Sequence, residues 1–332
     1  MTRFDHLSPR GMLRRLRILA EHAIEQYDLP DPVIDYYGFE TNLMYRVRAG
    51  DRLYMMRLAS PGWRTLVDLQ SEAMWLEALA RDTTVGAPGV VAARDGRLVV
   101  PATHPGVPDP WNVTLMTYLP GRLLGHYLTE ANLERMGALF AELHHHGATW
   151  RRPSGFTTRR FDHWLSRGEP DLITDDDECV LPIGAARDTI GRIHRLVKAA
   201  YASIDPDDLR VIHCDLWHDN IKLHEGRLAP FDFEDTVLGY RAHDIAMAML
   251  DLLEVTDEER YRQLLTAFRS GYQTSLSWPD EPIEPYQIGR LLWKLNWIAN
   301  NEPEDLGTSI DSHLPIFTEF ERTGRVGKPP AW

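Results

Sequence analysis

The sequence predicts an α+β chain of two lobes: a small antiparallel-sheet lobe over residues 1–119 and a larger, mainly helical lobe over residues 120–332. Three observations carry this. Short apolar runs with strand character crowd residues 33–58, 96–101 and 112–119, bounded by turn residues. From residue 129 onward most apolar spacing is helical. Between the two regimes stands Pro120-Gly121, a dipeptide that ends extended chain. At 332 residues the chain is long enough for two cores.

Residues 10–26 have helical spacing, with Leu13, Leu16, Ile18 and Leu19 on the apolar side, and stop before Pro30. Val33–Tyr37, Leu43–Arg48 and Leu53–Leu58 are expected as strands, with a longer turn over Gly38–Asn42 and a tighter one over Ala49–Asp51. The longer turn is a place where backbone N–H groups could face phosphates, although an ordinary hairpin turn is the default. Thr65–Arg81 is expected as a helix with the stripe Leu66, Leu69, Ala73, Leu76 and Leu79. Glu72 falls on that stripe, where a lone carboxylate is costly, so it needs a cation; Arg57, near the end of the third strand, is its natural partner. Gly96–Pro101 and Asn112–Leu119 complete the sheet, and in a two-lobed nucleotide enzyme the crossing around Met116 to Leu119, Tyr118 included, would read an adenine edge.

In the second lobe a helix is expected from Thr129, a plausible N-cap, to about His146. The run His144-His145-His146 resembles a metal cluster, but consecutive helical positions point apart, so a helix end stabilised by imidazoles is the simpler reading. A short helix near Phe161–Arg167 and an acidic loop at Asp175–Glu178 follow, then a helix over Ala185–Ile204. Beyond the central stretch, helices are expected at Ala242–Leu253, Asp257–Ser275, Glu284–Asn300 and about Leu314–Arg322. Asp244 begins the first of these, where it can cap the helix or bind back to backbone amides. Trp293, Asn296, Trp297 and Asn300 share one face of the third, expected to pack in the core with amides toward solvent rather than to wall a pocket.

Composition narrows the function. Residues 121–332 hold 23 Lys and Arg against 35 Asp and Glu, so nearly all of the net charge of −13 lies there. The net charge weighs against nucleic acid and anionic membrane as partners, and its placement suits a cationic or amine-bearing substrate, although solubility alone explains it equally well. No run of eighteen apolar residues predicts a membrane helix, and basic Met1–Arg17 lacks a signal-peptide core, so a cytoplasmic location is expected. Two cysteines, Cys179 and Cys214, exclude a disulfide framework. Cys214 beside Asp215 raises a nucleophilic thiol; a small residue filling a tight loop is the plainer account.

Chemistry concentrates in residues 211–234, VIHCDLWHDNIKLHEGRLAPFDFE. Two strand-like runs, Ile221–His224 and Arg227–Phe231, are joined only by Glu225-Gly226, a hairpin signal. Closing there pairs His224 with Arg227 and sets Asn220 opposite Phe231, which brings Asn220 and Asp232 to one end of the ribbon. An amide oxygen and a carboxylate are hard ligands suited to Mg²⁺. Asp215 precedes Asn220 by five residues. The spacing His-x-Asp-x-x-x-x-Asn followed by Asp-Phe therefore supplies a base for a hydroxyl proton and two metal ligands, the parts that phosphoryl transfer needs. A metallohydrolase on His213, Asp215 and His218 is a minor rival, because all three share one short loop.

On these residues the chain resembles the aminoglycoside phosphotransferase superfamily, which has a protein-kinase-like fold. Within it, the chain is similar to the branch of type II homoserine kinases, choline kinases and bacterial stress-response Ser/Thr kinases. The resemblance covers nearly all of residues 30–300 and is most specific at His213–Asn220 with Asp232 and Phe233. It implies a nucleotide-binding first lobe and a catalytic second lobe, with ATP and Mg²⁺ as cofactors. It also implies Asp215 as base, Asn220 and Asp232 as metal ligands, Arg57 and Glu72 as the phosphate-positioning pair, Asp244 as support for the catalytic loop, and His213 as its orienter. The expected reaction transfers the phosphoryl group to a hydroxyl of a small molecule, which the acidity of the second lobe tilts toward an amine-bearing one; an aminoglycoside, homoserine, another small hydroxyl compound, a protein Ser/Thr or a regulatory pseudokinase stay open. Four departures stand out: Arg57 replaces a usual lysine, Cys214 a customary glycine, Trp217 a common histidine and Glu234 a common second aspartate.

Overall fold

The computed structural model describes residues 3–165, 168–175 and 177–330. The chain divides into two compact units, Met1–Gly121 with Arg151–Thr158, and Arg122–Trp150 with Arg159–Trp332. The first is built on an antiparallel sheet and the second on helices, so the α+β class with a sheet-rich N-terminal region holds.

In the first unit Ser8 caps α1 (Pro9–Ile24), its side chain accepting the Gly11 N–H. Leu16, Leu19, Ala20, Ala23 and Ile24 form the buried line, spaced three and four apart. Ile18, expected on that side, falls off the line and is exposed. The sheet runs β1 (Val33–Phe39), β2 (Asn42–Ala49), β3 (Arg52–Ala59), β6 (Trp111–Thr117), β4 (Val90–Val91), with β5 (Val99–Ala102) also pairing to β6. The turn expected over Gly38–Asn42 is shorter: a bulge between Tyr36 and Gly38 lets Gly38 and Phe39 continue the ladder opposite Met44 and Leu43.

β3 is central, so Arg57 stands between Met44 on β2 and Thr114 on β6. Next comes α2 (Leu66–Asp82), opened by a reciprocal cap in which Thr65 Oγ1 accepts the Asp68 N–H and Asp68 Oδ2 accepts the Thr65 N–H. Glu72 lies among its buried Leu69, Ala73, Leu76 and Leu79, whereas Leu66, expected on the stripe, is exposed at the first turn. Residues 151–158 return to this unit: Ser71 Oγ donates to the Thr157 carbonyl and accepts the Thr157 N–H.

In the second unit, β7 (Arg122–Leu123) precedes α3 (Glu130–Thr149), which is capped by Thr129 and runs past His146. After α4 (Ala185–Ser203), β8 (Arg210–Ile212) pairs with β11 (Val237–Gly239). Between them β9 (Ile221–His224) and β10 (Arg227–Pro230) form the hairpin, and β7 lines its other edge. Then come α5 (Arg241–Val255), α6 (Glu258–Tyr272), α7 (Glu284–Asn301) and α8 (Leu306–Thr323). α8 starts well before Leu314; Gly307, Thr308 and Ser309 are weak helix formers that hide its first turns from a propensity reading. The helix expected near Phe161–Arg167 does not form over its described residues, which lie as irregular chain after Phe161 donates its N–H to the Leu238 carbonyl; Ser166 and Arg167 fall outside the described residues. Asp176 of the acidic loop falls outside them too.

Two glycines set how closely α3 and α6 approach. A Cβ on Gly137 would sit 1.9 Å from the Phe268 carbonyl oxygen, and one on Gly271 would sit 1.7 Å from the Glu134 carbonyl oxygen. Backbone cannot rotate aside as a side chain does, so Gly271→Ala should cost about 1–3 kcal/mol. Urea unfolding measures it. Gly307→Ala, where nothing lies within 4 Å, should instead leave stability equal or slightly raised. Equal midpoints for the two variants would show that α3 and α6 are not held by backbone contact.

Candidate active site

The ladder of β8 with β11 fixes both ends of the loop that carries the chemistry. His213 follows β8, is fully buried, and places one ring nitrogen 3.0 Å from the Phe231 carbonyl and the other 3.3 Å from the Asp215 N–H. The Asp215 amide can only donate and the Phe231 carbonyl can only accept. His213 is therefore the neutral tautomer with its proton on Nε2, as its burial-lowered basicity also requires. One imidazole thus ties the Asp215 backbone to the strand that leads into Asp232.

The hairpin has the register that a two-residue link dictates: Arg227 pairs with His224 and Pro230 with Ile221, and the Phe231 N–H donates to the Asn220 carbonyl at 2.9 Å. Glu225 and Gly226 both have positive φ, 48° and 77°, as the twist-compatible tight turn demands. Asn220 is buried, and its Nδ2 donates to the Asp215 backbone carbonyl at 2.8 Å and to Asp215 Oδ2 at 3.0 Å. Both partners are acceptors, which fixes the amide orientation and directs Oδ1 to the opposite side, where it accepts no hydrogen bond among the described residues. Asp232, one residue past Asn220's backbone partner, adopts a left-handed conformation, φ 65°.

Electrostatics make this spot short of positive charge. Burial, then the carboxylates of Asp235, Asp232 and Asp251, push the Asp215 carboxyl well above its ordinary range, with Arg290 opposing. The Asn220 amide oxygen and the Asp232 carboxylate, with Asp215 close to both in the chain, are of the donor types that suit a hard divalent cation. Among the described residues no group of three or more His, Cys, Asp or Glu has metal-holding geometry, and both His213 nitrogens are engaged, so the metallohydrolase reading has no site.

Asp244 sits on the first turn of α5, fully buried, and Oδ1 accepts the Cys214 N–H at 2.8 Å. Oδ2 lies 2.9 Å from His144 Nε2, and His144 Nδ1 lies 2.9 Å from the Tyr272 hydroxyl. Burial alone would raise the Asp244 carboxyl, but the His144 hydrogen bond and nearby imidazoles carry it below its ordinary value. Burial lowers His144 in turn. An ionised Asp244 can only accept, so His144 carries its proton on Nε2 and takes the Tyr272 O–H at Nδ1. This corrects the expectation for His144–His146: the helix continues to Thr149, and His144 is an internal link from α3 and α6 to the loop before Asp215. Cys214 itself has φ 71°, a conformation that favours glycine, where the resemblance implied one.

In the first unit Arg57 and Glu72 form a two-pronged ion pair, with Nη1 3.0 Å from Oε1 and Nη2 bonded to Oε2; both side chains are almost wholly buried. Met116 lies inside β6 between Met55 and Val90, with its side chain buried, and the N–H groups of Thr117 and Tyr118 already donate to the Gly89 and Leu53 carbonyls. The backbone N–H groups at Thr117 and Tyr118 are therefore spent on the sheet.

The family described as the phosphotransferase enzyme family matches residues 38–278. The chain belongs to that family. The aminoglycoside phosphotransferase resemblance read from the His213–Phe233 motif is borne out. A protein from Deinococcus radiodurans, described as uncharacterized, is 26% identical over 323 residues, covering 91% of this chain and 89% of its own. The solved structure of a microcompartment-associated aminopropanol kinase superposes with a TM-score of 0.76 at 22% identity, covering 92% of this chain and 98% of its own. An amicoumacin kinase in complex with AMP-PNP, Ca²⁺ and Ami gives 0.77 at 15% identity, covering 98% of both chains. The fold is the protein-kinase-like one shared by such enzymes. No helix among the described residues is long and apolar enough to cross a membrane.

The sequence reading of this phosphotransferase missed Asp251, Arg290 and the His144–Tyr272 link. Asp251 had a signal, being an acid within the apolar run AMAMLDLL, the pattern that singled out Glu72. The face of α7 also differs from expectation. Asn296 is buried, not solvent-facing: its Oδ1 accepts the Leu172 N–H at 2.8 Å and its Nδ2 donates to the Pro170 carbonyl at 2.9 Å, which pins the preceding loop to α7.

One buried imidazole makes the fold sensitive to acid. His243 packs its ring 4.1 Å from that of Phe161, and burial, helped by Arg290 and opposed by Asp244, pushes its pKa from 6.5 down to about 3. Below pH 6.5 the unfolded chain takes up a proton that the folded state refuses. Stability is thus lost as pH falls from 6.5 to about 3, and the slope ends there. His243→Phe should flatten the pH dependence of the urea midpoint across that window; an unchanged slope would show that His243 titrates alike folded and unfolded.

Proposed function

We propose that this phosphotransferase moves the γ-phosphoryl group of ATP, in the presence of Mg²⁺, to a hydroxyl of a small molecule. The carrying observation is Asn220: its Nδ2 clamps Asp215, its Oδ1 has no hydrogen-bond partner among the described residues, and its backbone carbonyl holds the Phe231 N–H, one residue before Asp232. Asn220 and Asp232 would hold the metal, which when bound neutralises charge on the phosphates. Asp215, fixed by His213 and Asn220, orients the acceptor hydroxyl and takes its proton. The acceptor oxygen bonds to the γ-phosphorus, the bond from that phosphorus to the β,γ-bridging oxygen breaks, and ADP leaves. Arg57, held by Glu72, would position the α- and β-phosphates, and Asp244 with His144 would keep the loop before Asp215 in shape. The names of the aminopropanol and amicoumacin kinases support a small acceptor.

ADP release measured over a panel of hydroxylated amines, sugars, amino acids and a generic protein substrate, with Mg²⁺ and with chelator, tests this. Mg²⁺-dependent turnover of small acceptors is expected. The arginine at position 57 favours one other reading, a nucleotide-binding regulatory module. That module would gain thermal stability with MgATP yet release no ADP with any acceptor.

A further inference from the structure

α3 and α6 meet backbone to backbone at Gly137 and Gly271, and the next residue, Tyr272, ends α6 with its ring buried against those of His144, Phe268 and Trp278. The Tyr272 hydroxyl is the far end of a chain of hydrogen bonds that reaches the backbone beside Asp215. Tyr272 Oη lies 2.9 Å from His144 Nδ1, His144 Nε2 lies 2.9 Å from Asp244 Oδ2, and Asp244 Oδ1 accepts the Cys214 N–H at 2.8 Å. The side chains of Tyr272, His144 and Asp244 are at most 2% exposed, so bulk water does not replace any of these links.

Both ends of the chain fix its direction. Arg241, at the start of α5, is within hydrogen-bond reach of the same Tyr272 hydroxyl, and an arginine can only donate. The hydroxyl oxygen accepts from Arg241 and keeps its own proton for His144 Nδ1. At the other end the ionised Asp244 can only accept. Every bond therefore points from Arg241 toward Asp244, and bonds aligned in this way polarise one another. Arg241 is itself held, with Nε 2.6 Å from Asp208 Oδ1 and Nη1 2.7 Å from the Ser277 carbonyl. Asp208 Oδ1 also accepts from Arg210 Nη2 at 2.7 Å, so two arginines share one carboxylate and the remote end is net positive. Burial, with Arg210 and Arg241 adding to it and Asp244 opposing, holds His144 below its ordinary basicity, so the imidazole passes on polarity without carrying charge.

We propose that Tyr272 is a positioning residue for the transfer: its hydroxyl, oriented by Arg241, sets the His144 ring so that Asp244 grips the Cys214 amide and steadies Asp215 for the acceptor. This rests on the phosphotransfer reading above and extends it to a group three hydrogen bonds from the loop. Cys214 is held at φ 71°, and a weaker grip on its amide lets the residue before Asp215 relax. A tyrosine that only packed α6 on α3 would, when shortened, cost stability and leave Cys214 as it was.

The chain has two cysteines, so protein labelled with ¹⁵N-cysteine gives two amide signals, Cys214 as reporter and Cys179 as internal reference, told apart with Cys179→Ser. Tyr272→Phe removes one oxygen. It should lower kcat for ADP release about 10-fold, the scale of one lost hydrogen bond. KM for MgATP and for the acceptor should stay within about two-fold, because binding is untouched. The Cys214 amide proton should move upfield while that of Cys179 stays. Tyr286→Phe is the control: this buried tyrosine donates its hydroxyl to the Ala200 carbonyl at 3.2 Å, away from the chain of bonds, and its loss should lower the urea midpoint without changing kcat or the Cys214 signal. In the wild type, ¹⁵N-histidine spectra should show His144 protonated on Nε2 alone, its signal identified by its loss in His144→Gln; a proton on Nδ1 overturns the proposal with no need of the tyrosine variant. So does wild-type kcat in Tyr272→Phe, or a lower kcat with an unmoved Cys214 signal. Should no acceptor give Mg²⁺-dependent ADP release, phosphotransfer falls, and the Cys214 signal alone decides whether Tyr272 holds the loop.

Discussion

Asp215→Asn should lower turnover by about 10³-fold or more, the scale of a lost general base, while MgATP still protects the fold. The substitution is close to isosteric. Its side-chain oxygen can still accept from Asn220 Nδ2, and the backbone contacts to His213 Nδ1 and from Asn220 Nδ2 do not involve the carboxylate. The loop therefore keeps its shape and only the capacity to take a proton disappears. Stability rises by about 2.7 kcal/mol when a ligand is present at a hundred times its dissociation constant, so a thermal shift with MgATP reads binding separately from chemistry. Wild-type turnover in this variant would remove Asp215 from the base role. A lost thermal shift would show that the carboxylate serves mainly to hold metal and nucleotide.

The hairpin was legible because its determinants are local. Glu225-Gly226 fixes the turn, the turn fixes the register, and the register sets Asn220 opposite Phe231, with Asp232 next along. Arg57 and Glu72 were legible for a different reason: an acid on an apolar stripe demands a nearby cation. The link from Asp244 to His144 spans a hundred residues, and three consecutive histidines do not announce which one turns inward. Nor does linear order show that residues 151–158 pack with the first unit, or that a bulge at Gly38 shortens a turn. Those features are decided by tertiary packing. Cys214 lies between the two cases: the resemblance marked it as a departure from glycine, and its φ of 71° gives the physical reason a glycine suits the position.

Glu72→Ala should destabilise the chain by about 3–5 kcal/mol, because it leaves the Arg57 guanidinium buried without the carboxylate that balances it. Such a loss by itself says nothing of function, since any buried pair behaves so when halved. The informative comparison is the double variant Arg57→Met with Glu72→Leu. Removing both charges and keeping the volume is often neutral or stabilising. That protein should fold about as well as the wild type, read by its urea midpoint. If the pair is kept to position phosphates, the double variant folds yet loses most of the MgATP thermal shift and nearly all turnover. If the pair only anchors α2 to β3, the double variant keeps both, and the nucleotide is held by other groups. Arg57→Lys refines the point, because one compact ammonium cannot reproduce two parallel hydrogen bonds to Oε1 and Oε2. Lower stability with higher turnover in that variant would mean that the arginine was selected for packing at the expense of phosphate geometry.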